Sequence, residues 1–70
     1  MTNAEMKARK KIKALKTKDI IIQFELTERM NNAHIPTVRG WLMDELEKRD
    51  PKAFDAWMDS DDESPRRFYR

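Results

Sequence analysis

Apolar residues recur along this chain at the three-to-four spacing of a helix and almost nowhere alternate. In the first stretch, Ala4, Ala8, Ile12 and Leu15 make a narrow apolar stripe on an otherwise basic rod and predict a helix over 4–15. In the second, Ile22, Leu26 and Met30 follow at i, i+4 and i+8, and Ile20, Ile21 and Phe24 widen the buried face. Thr17 and Asp19 suit its start and Asn31-Asn32 its end, which predicts a helix over 18–31. Ala8, Ile12, Leu15, Ile22 and Leu26 keep a nearly common phase, which favours one continuous rod. Asp19 would then fall on the apolar stripe, which argues against it.

The segment NAHIPTVRG interrupts the pattern. Pro36 disfavours helical geometry at Ile35, so Thr37 is read as the N-cap of a third helix over 38–49. Val38, Trp41, Leu42 and Leu46 would be its inner face. Gly40 falls in its first turn, at a cost of about 0.5–1 kcal/mol against alanine. Asp50 then caps a fourth helix over 51–59, where Pro51 fits the first position because no amide donor is needed there. Ala53, Phe54, Trp57 and Met58 form its inner face.

The expected fold is all-α, a small three- to four-helix bundle with three parts. Residues 1–17 are a basic N-terminal helix or arm, 18–59 a compact helical core, and 60–70 a flexible charged tail from which Phe68 and Tyr69 are available to dock back. Phe24, Trp41, Leu42, Leu46, Phe54 and Trp57 should dominate the core, since aromatic side chains bury the most area per residue. With 70 residues the core is thin, because a chain of this size buries only about 60% of the surface its unfolded form exposes.

At IPTVRGWLMDELEKRDPKAFDAWMDSDDES, residues 35–64, the chain resembles small uncharacterised proteins encoded by phages, plasmids and conjugative elements of Firmicutes. These carry a TVRGW-x-MDE-x-E-x-R-x-P-x-x-F-x-AW-x-D signature followed by an acidic tail. KTKDIIIQFELTERMN is similar to the segment that precedes the signature in those proteins. The resemblance spans residues 16–69 and leaves the basic segment before Lys16 outside it. It implies a mobile-element origin and a short helical protein, and it implies no catalytic residue.

Charge changes the picture most. The net charge of +2 conceals a polar arrangement. Residues 1–18 carry seven cations against Glu5 alone, residues 44–63 carry nine carboxylates against three cations, and Arg66, Arg67 and Arg70 end the chain. Such asymmetry marks an interaction arm, self-association, or both. Lys7, Arg9, Lys10, Lys11, Lys13 and Lys16 are candidates to hold nucleic-acid phosphates, DNA or RNA, without reading sequence. The arm has no aromatic residue before Phe24, so base stacking is not supported from this segment. The plainer reading is a solvated helix that aids solubility or pairs with the acidic end.

The alternative is a protein-binding adaptor or inhibitor. In that reading the acidic surface of residues 44–63 meets a basic patch on a host or phage protein, through Asp44, Glu47 and Asp55 with Arg39 beside them. Arg39 opposes the helix dipole in a first turn, which suggests retention for a contact. Pairing with Glu25 or Glu28 would explain it equally. Asp44 with Lys48, and Glu45 with Arg49, are spaced as i, i+4 pairs worth a few tenths of a kcal/mol. A homodimer joined basic end to acidic end is the third arrangement.

Enzymatic chemistry is not expected. One glycine cannot form a phosphate-cradling loop, and no cysteine with a sole histidine, His34, removes the usual zinc sets. DSDDE lacks the spaced ligands and central glycine of a calcium loop. No cofactor or metal is expected. The longest apolar run, Ile20–Ile22, is far short of the roughly 20 residues that cross a bilayer. A soluble cytoplasmic protein without membrane association is therefore expected.

Overall fold

The computed structural model describes residues 3–69; Met1, Thr2 and the C-terminal cation Arg70 lie outside the described residues. The chain forms α1 (Asn3–Ala14), α2 (Thr17–Thr27), α3 (Ile35–Arg49) and α4 (Pro51–Met58), followed by one turn of 3₁₀ helix at Pro65–Arg67. The all-α bundle is what the spacing predicts, and no strand occurs among the described residues. The core joins Ile12 of α1, Ile20, Ile21 and Phe24 of α2, Leu42 and Leu46 of α3, and Trp57 of α4. Phe24 meets Trp57 edge-on with ring centroids 5.2 Å apart, and Phe54 meets Trp57 edge-on at 5.8 Å. Trp41 and Phe54, expected at the centre, are partly exposed and pack against this cluster from outside.

Helices α1 and α2 are separate. Lys16 is extended (φ −69°, ψ 153°) and breaks the rod between them. Helix α2 presents a different face from the one its longest periodic series indicates. Ile20, Ile21, Phe24 and Thr27 are buried, whereas Ile22, Leu26 and Met30 are 41%, 40% and 50% exposed. It also ends early, at Thr27. The Thr27 hydroxyl donates to the Phe24 carbonyl and so competes with continuation of the helix. The following amides of Glu28, Arg29 and Met30 bond three residues back and tighten the chain into a turn.

Helix α3 starts three residues before the expected position. Pro36 stands in its first turn, where amide donors lack helical acceptors anyway. The His34 amide donates to Asn32 Oδ1 at 2.9 Å, and the Val38 amide to the His34 carbonyl at 3.1 Å. Thr37 is thus inside the helix and is not its cap. Gly40 falls in the second turn, and no atom lies within 4 Å of where its Cβ would be, so no other element of the chain makes use of its lack of side chain. Helix α4 begins as read from the sequence, with Asp50 accepting from the Ala53 amide at 3.1 Å and Pro51 at the first position.

Residues 60–69 fold back over α2 and α3. The Trp57 indole donates to the Asp62 carbonyl at 2.9 Å, Pro65 is buried, and the Tyr69 hydroxyl donates to the Leu46 carbonyl at 2.9 Å. Phe68 and Tyr69 pack against the core, as their aromatic character allows. Ser64 and Arg66 both reach Glu25, at 2.7 Å and 2.6 Å. Arg66 donates through a second nitrogen as well, at 2.9 Å, and these hydrogen bonds hold the Glu25 carboxyl at about 2, below the ordinary 4.5, with Arg66 the larger cause.

Candidate nucleic-acid interface

Helix α1 is docked. Ile12 enters the core, and Arg9 reaches α3, donating to Glu5 of its own helix at 3.2 Å and to Asp44 at 3.4 Å. The guanidinium of Arg9 also lies 5.9 Å from the Trp41 ring centroid. The C-terminal end of α1 is closed by Arg49. Its guanidinium pairs with Glu45 at 2.9 Å and donates to the Thr17 hydroxyl at 3.1 Å. It also donates to the α1 carbonyls of Lys13 at 3.1 Å and Ile12 at 3.4 Å. The last carbonyls of a helix have no partner within it, and a cation placed on them meets both that deficit and the helix dipole. One side chain therefore ties the end of α1, the start of α2 and the end of α3 together.

With Ile12 turned inward, a helical advance of about 100° per residue puts Lys7 and Lys10 on the far side of α1, with Lys13 on the flank towards the groove and Lys11 on the other flank. All four are exposed, as is Lys16 at the link to α2. No ion pair among the described residues engages a lysine. The candidate phosphate-binding residues thus divide. Lys7, Lys10, Lys11, Lys13 and Lys16 stand free in solvent, and Arg9 is committed to α3. The candidate protein-binding residues divide as well. Asp44 is Arg9's partner, and the guanidinium of Arg39 donates to Thr27 Oγ1 at 2.9 Å and lies 4.2 Å from the Phe24 ring centroid. Arg39 is therefore held by a hydroxyl and a ring, with neither Glu25 nor Glu28 as partner. Glu47 and Asp55 remain exposed. The expected Asp44–Lys48 pair is replaced by Asp44–Arg9, which leaves Lys48 free; the expected Glu45–Arg49 pair is present.

Between α1 and α3 lies an open groove of about 390 Å³. Met6, Ile12 and Trp41 line it, with Lys10 and Lys13 along the α1 side and Lys48 on the α3 side. Asp44 and Glu45 also reach it, each already carrying an arginine. Trp41 is the feature that sequence reasoning missed. It is 32 positions from Arg9, and only the docking of α1 on α3 brings an aromatic ring beside the lysine helix. His34 is exposed, and no group of potential metal ligands forms among the described residues. No helix of the described residues is long and apolar enough to cross a membrane. Comparisons with protein-family models, curated proteins and solved structures found no match to this chain.

Proposed function

We propose that this protein is a non-enzymatic accessory protein that binds nucleic-acid backbones through the lysine face of α1, without reading sequence. The observation that carries this reading is the contrast between the two kinds of cation on one helix. Arg9 is consumed by carboxylates, whereas Lys7, Lys10, Lys11 and Lys13 face solvent with no ion-pair partner, on a helix fixed near its middle by Arg9 and at its C-terminal end by Ile12 and Arg49. A pre-ordered row of ammonium groups releases condensed counterions from a phosphate backbone with no folding cost at the moment of binding. Of the acidic surface, Asp44, Glu45 and Asp62 are engaged within the chain, while Glu47 and Asp55 remain exposed.

The test is fluorescence anisotropy with duplex DNA or RNA across a salt series. Binding at low salt should weaken with a log–log slope of about −3.6 on duplex DNA if all four lysines meet phosphates, at about −0.9 per contact. Changing Lys10, Lys11 and Lys13 to glutamate should abolish it. No association at low salt, or a slope untouched by those changes, refutes the proposal.

A further inference from the structure

The groove between α1 and α3 adds a second chemistry to the lysine face. Its apolar floor is made by Ile12 and the ring of Trp41, and Met6, 55% exposed, stands at its edge. Its rim carries the free ammonium groups of Lys10, Lys13 and Lys48. Lysine is the residue of extended phosphate contact, and an accessible indole is the residue on which a base stacks. Here the two are interleaved across two helices. The volume, about 390 Å³, lies in the range of roughly 300–1,000 Å³ typical of sites that take a small ring system. A groove with a wet cationic rim and an aromatic floor suits a nucleotide better than a peptide side chain, because its two surfaces match the base and the phosphate of one unit.

The two carboxylates at the groove do not spoil this match. Asp44 is paired with Arg9 at 3.4 Å and Glu45 with Arg49 at 2.9 Å, so each is offset by a cation already in place. Arg9 contributes twice. Its guanidinium neutralises Asp44, and it lies over the Trp41 ring, 5.9 Å from the centroid, where a planar cation can share in the stacking of a base on the indole. Trp57 cannot serve in this way, since it is 4% exposed and its indole nitrogen is bonded within the chain.

We infer that the groove binds single-stranded nucleic acid, stacking an unpaired base on Trp41 while Lys10, Lys13 and Lys48 hold the adjoining phosphates. This rests on the backbone-binding reading above and extends it from phosphate to base. It separates from that reading experimentally, because a strand without bases offers the same phosphates.

The experiment measures the intact chain at low salt against a short oligothymidine and against an abasic deoxyribose-phosphate strand of equal length. The oligothymidine should bind about tenfold or more tightly, the order of effect one base–aromatic stack produces. Its binding should also quench tryptophan emission, and the abasic strand should not. Trp41→Leu should remove the preference while leaving abasic binding in place. Trp41→Phe keeps a ring and preserves the packing, so it should retain most of the preference; it decides the matter should the leucine variant unfold. Equal affinity of the wild-type chain for both strands overturns the inference and leaves the backbone proposal standing. Absence of binding to either overturns both.

Discussion

Arg49→Ala offers the sharpest test of how this fold is held together. As an i, i+4 partner of Glu45 on an exposed helix, Arg49 would be worth only about 0.2–0.5 kcal/mol. The structure implies more. The side chains of Arg49 and Glu45 are only 21% and 13% exposed, and the guanidinium bonds Thr17 and two carbonyls of α1 in addition to the carboxylate. A hydrogen bond to a charged group contributes about 1.5–3 kcal/mol net, and a half-buried carboxylate left alone adds its own penalty. The bonds of one guanidinium are not additive, so a loss of about 2–4 kcal/mol is expected. A 70-residue chain at about 0.05–0.15 kcal/mol per residue has roughly 3.5–10 kcal/mol in total. The variant should therefore be visibly marginal. Urea unfolding followed by far-ultraviolet circular dichroism reads the loss directly. The midpoint of thermal unfolding should fall by about 8 °C or more. Arg49→Lys, which keeps the charge but not the planar fork, should recover part of the loss. Hydrogen exchange should show the earliest added opening in the last turn of α1. A change below about 0.5 kcal/mol would mean that Arg49 is an ordinary surface pair, and the account of how α1 is held would be wrong.

Four further outcomes follow from the same structure. Ile20→Ala should cost about 2–4 kcal/mol, since Ile20 is fully buried, whereas Ile22→Ala should cost under about 1 kcal/mol at 41% exposure; equal losses in urea unfolding would return α2 to its other face. Tyr69 is the chain's sole tyrosine, and burial, with Asp50 and Glu47 nearby, raises its phenol to about 12. Its ultraviolet titration should have a midpoint near 12 in the folded protein and near 10 in urea, so the stability it contributes is present below pH 10 and is lost as pH rises through 12. Glu25 behaves in the opposite sense: its carboxyl is held at about 2, so its contribution is present above about pH 4.5 and is lost as pH falls towards 2. Solvent screening limits this to about 1 kcal/mol, and an acid-unfolding curve of Glu25→Gln that matched wild type would remove it. Lys7 with Lys10, Lys7 with Lys11, and Lys10 with Lys13 are like-charge neighbours on α1, so neutralising Lys7 or Lys10 to glutamine should raise stability by a few tenths of a kcal/mol; a loss measured in urea would show that these lysines support the fold.

What sequence reasoning reached, and what it missed, depends on the range of the interaction concerned. The start of α4 was legible because Asp50, Pro51 and Ala53 are adjacent and their bonds are local. The helical class was legible from periodicity. The inner face of α2 was not, because Ile20, Ile21, Ile22, Phe24 and Leu26 cover most of the helix circumference and two apolar faces overlap. The choice between them is made by Phe24 meeting Trp57, 33 positions away. The start of α3 was misplaced because the preference against helix before proline is a bias, and the Asn32 turn overrides it. Residues 60–69 read as a tail because acids, a proline and arginines follow one another without apolar period. They fold back through Arg66 on Glu25 and Tyr69 on Leu46, contacts across 41 and 23 positions that no local pattern encodes.

The candidate site followed the same rule, and the difference between arginine and lysine explains its outcome. Counting charge alone treats the two alike and predicts a uniformly basic arm facing an acidic end. A guanidinium is a flat fork that satisfies several acceptors at once and sits against rings at little desolvation cost, whereas an ammonium is a compact, strongly hydrated point charge. The fold sorts them on that basis. Of the six described arginines, Arg9, Arg39, Arg49, Arg66 and Arg67 bind carboxylates, hydroxyls, carbonyls or ring faces within the chain, and Arg29, exposed in the turn after α2, is the exception. The described lysines take no part in the ion pairs. Charge separation along the sequence is therefore cancelled only in part: Asp44, Glu45 and Asp62 are paired with arginines, Glu47, Asp55, Asp59, Asp61 and Glu63 stay exposed without an ion pair, and the cationic side survives on the outer side of α1 and the rim of the groove. That residue is small enough to be carried by a 70-residue bundle and is not needed to hold it together. Substituting the lysines can therefore probe binding without disturbing the scaffold that presents them.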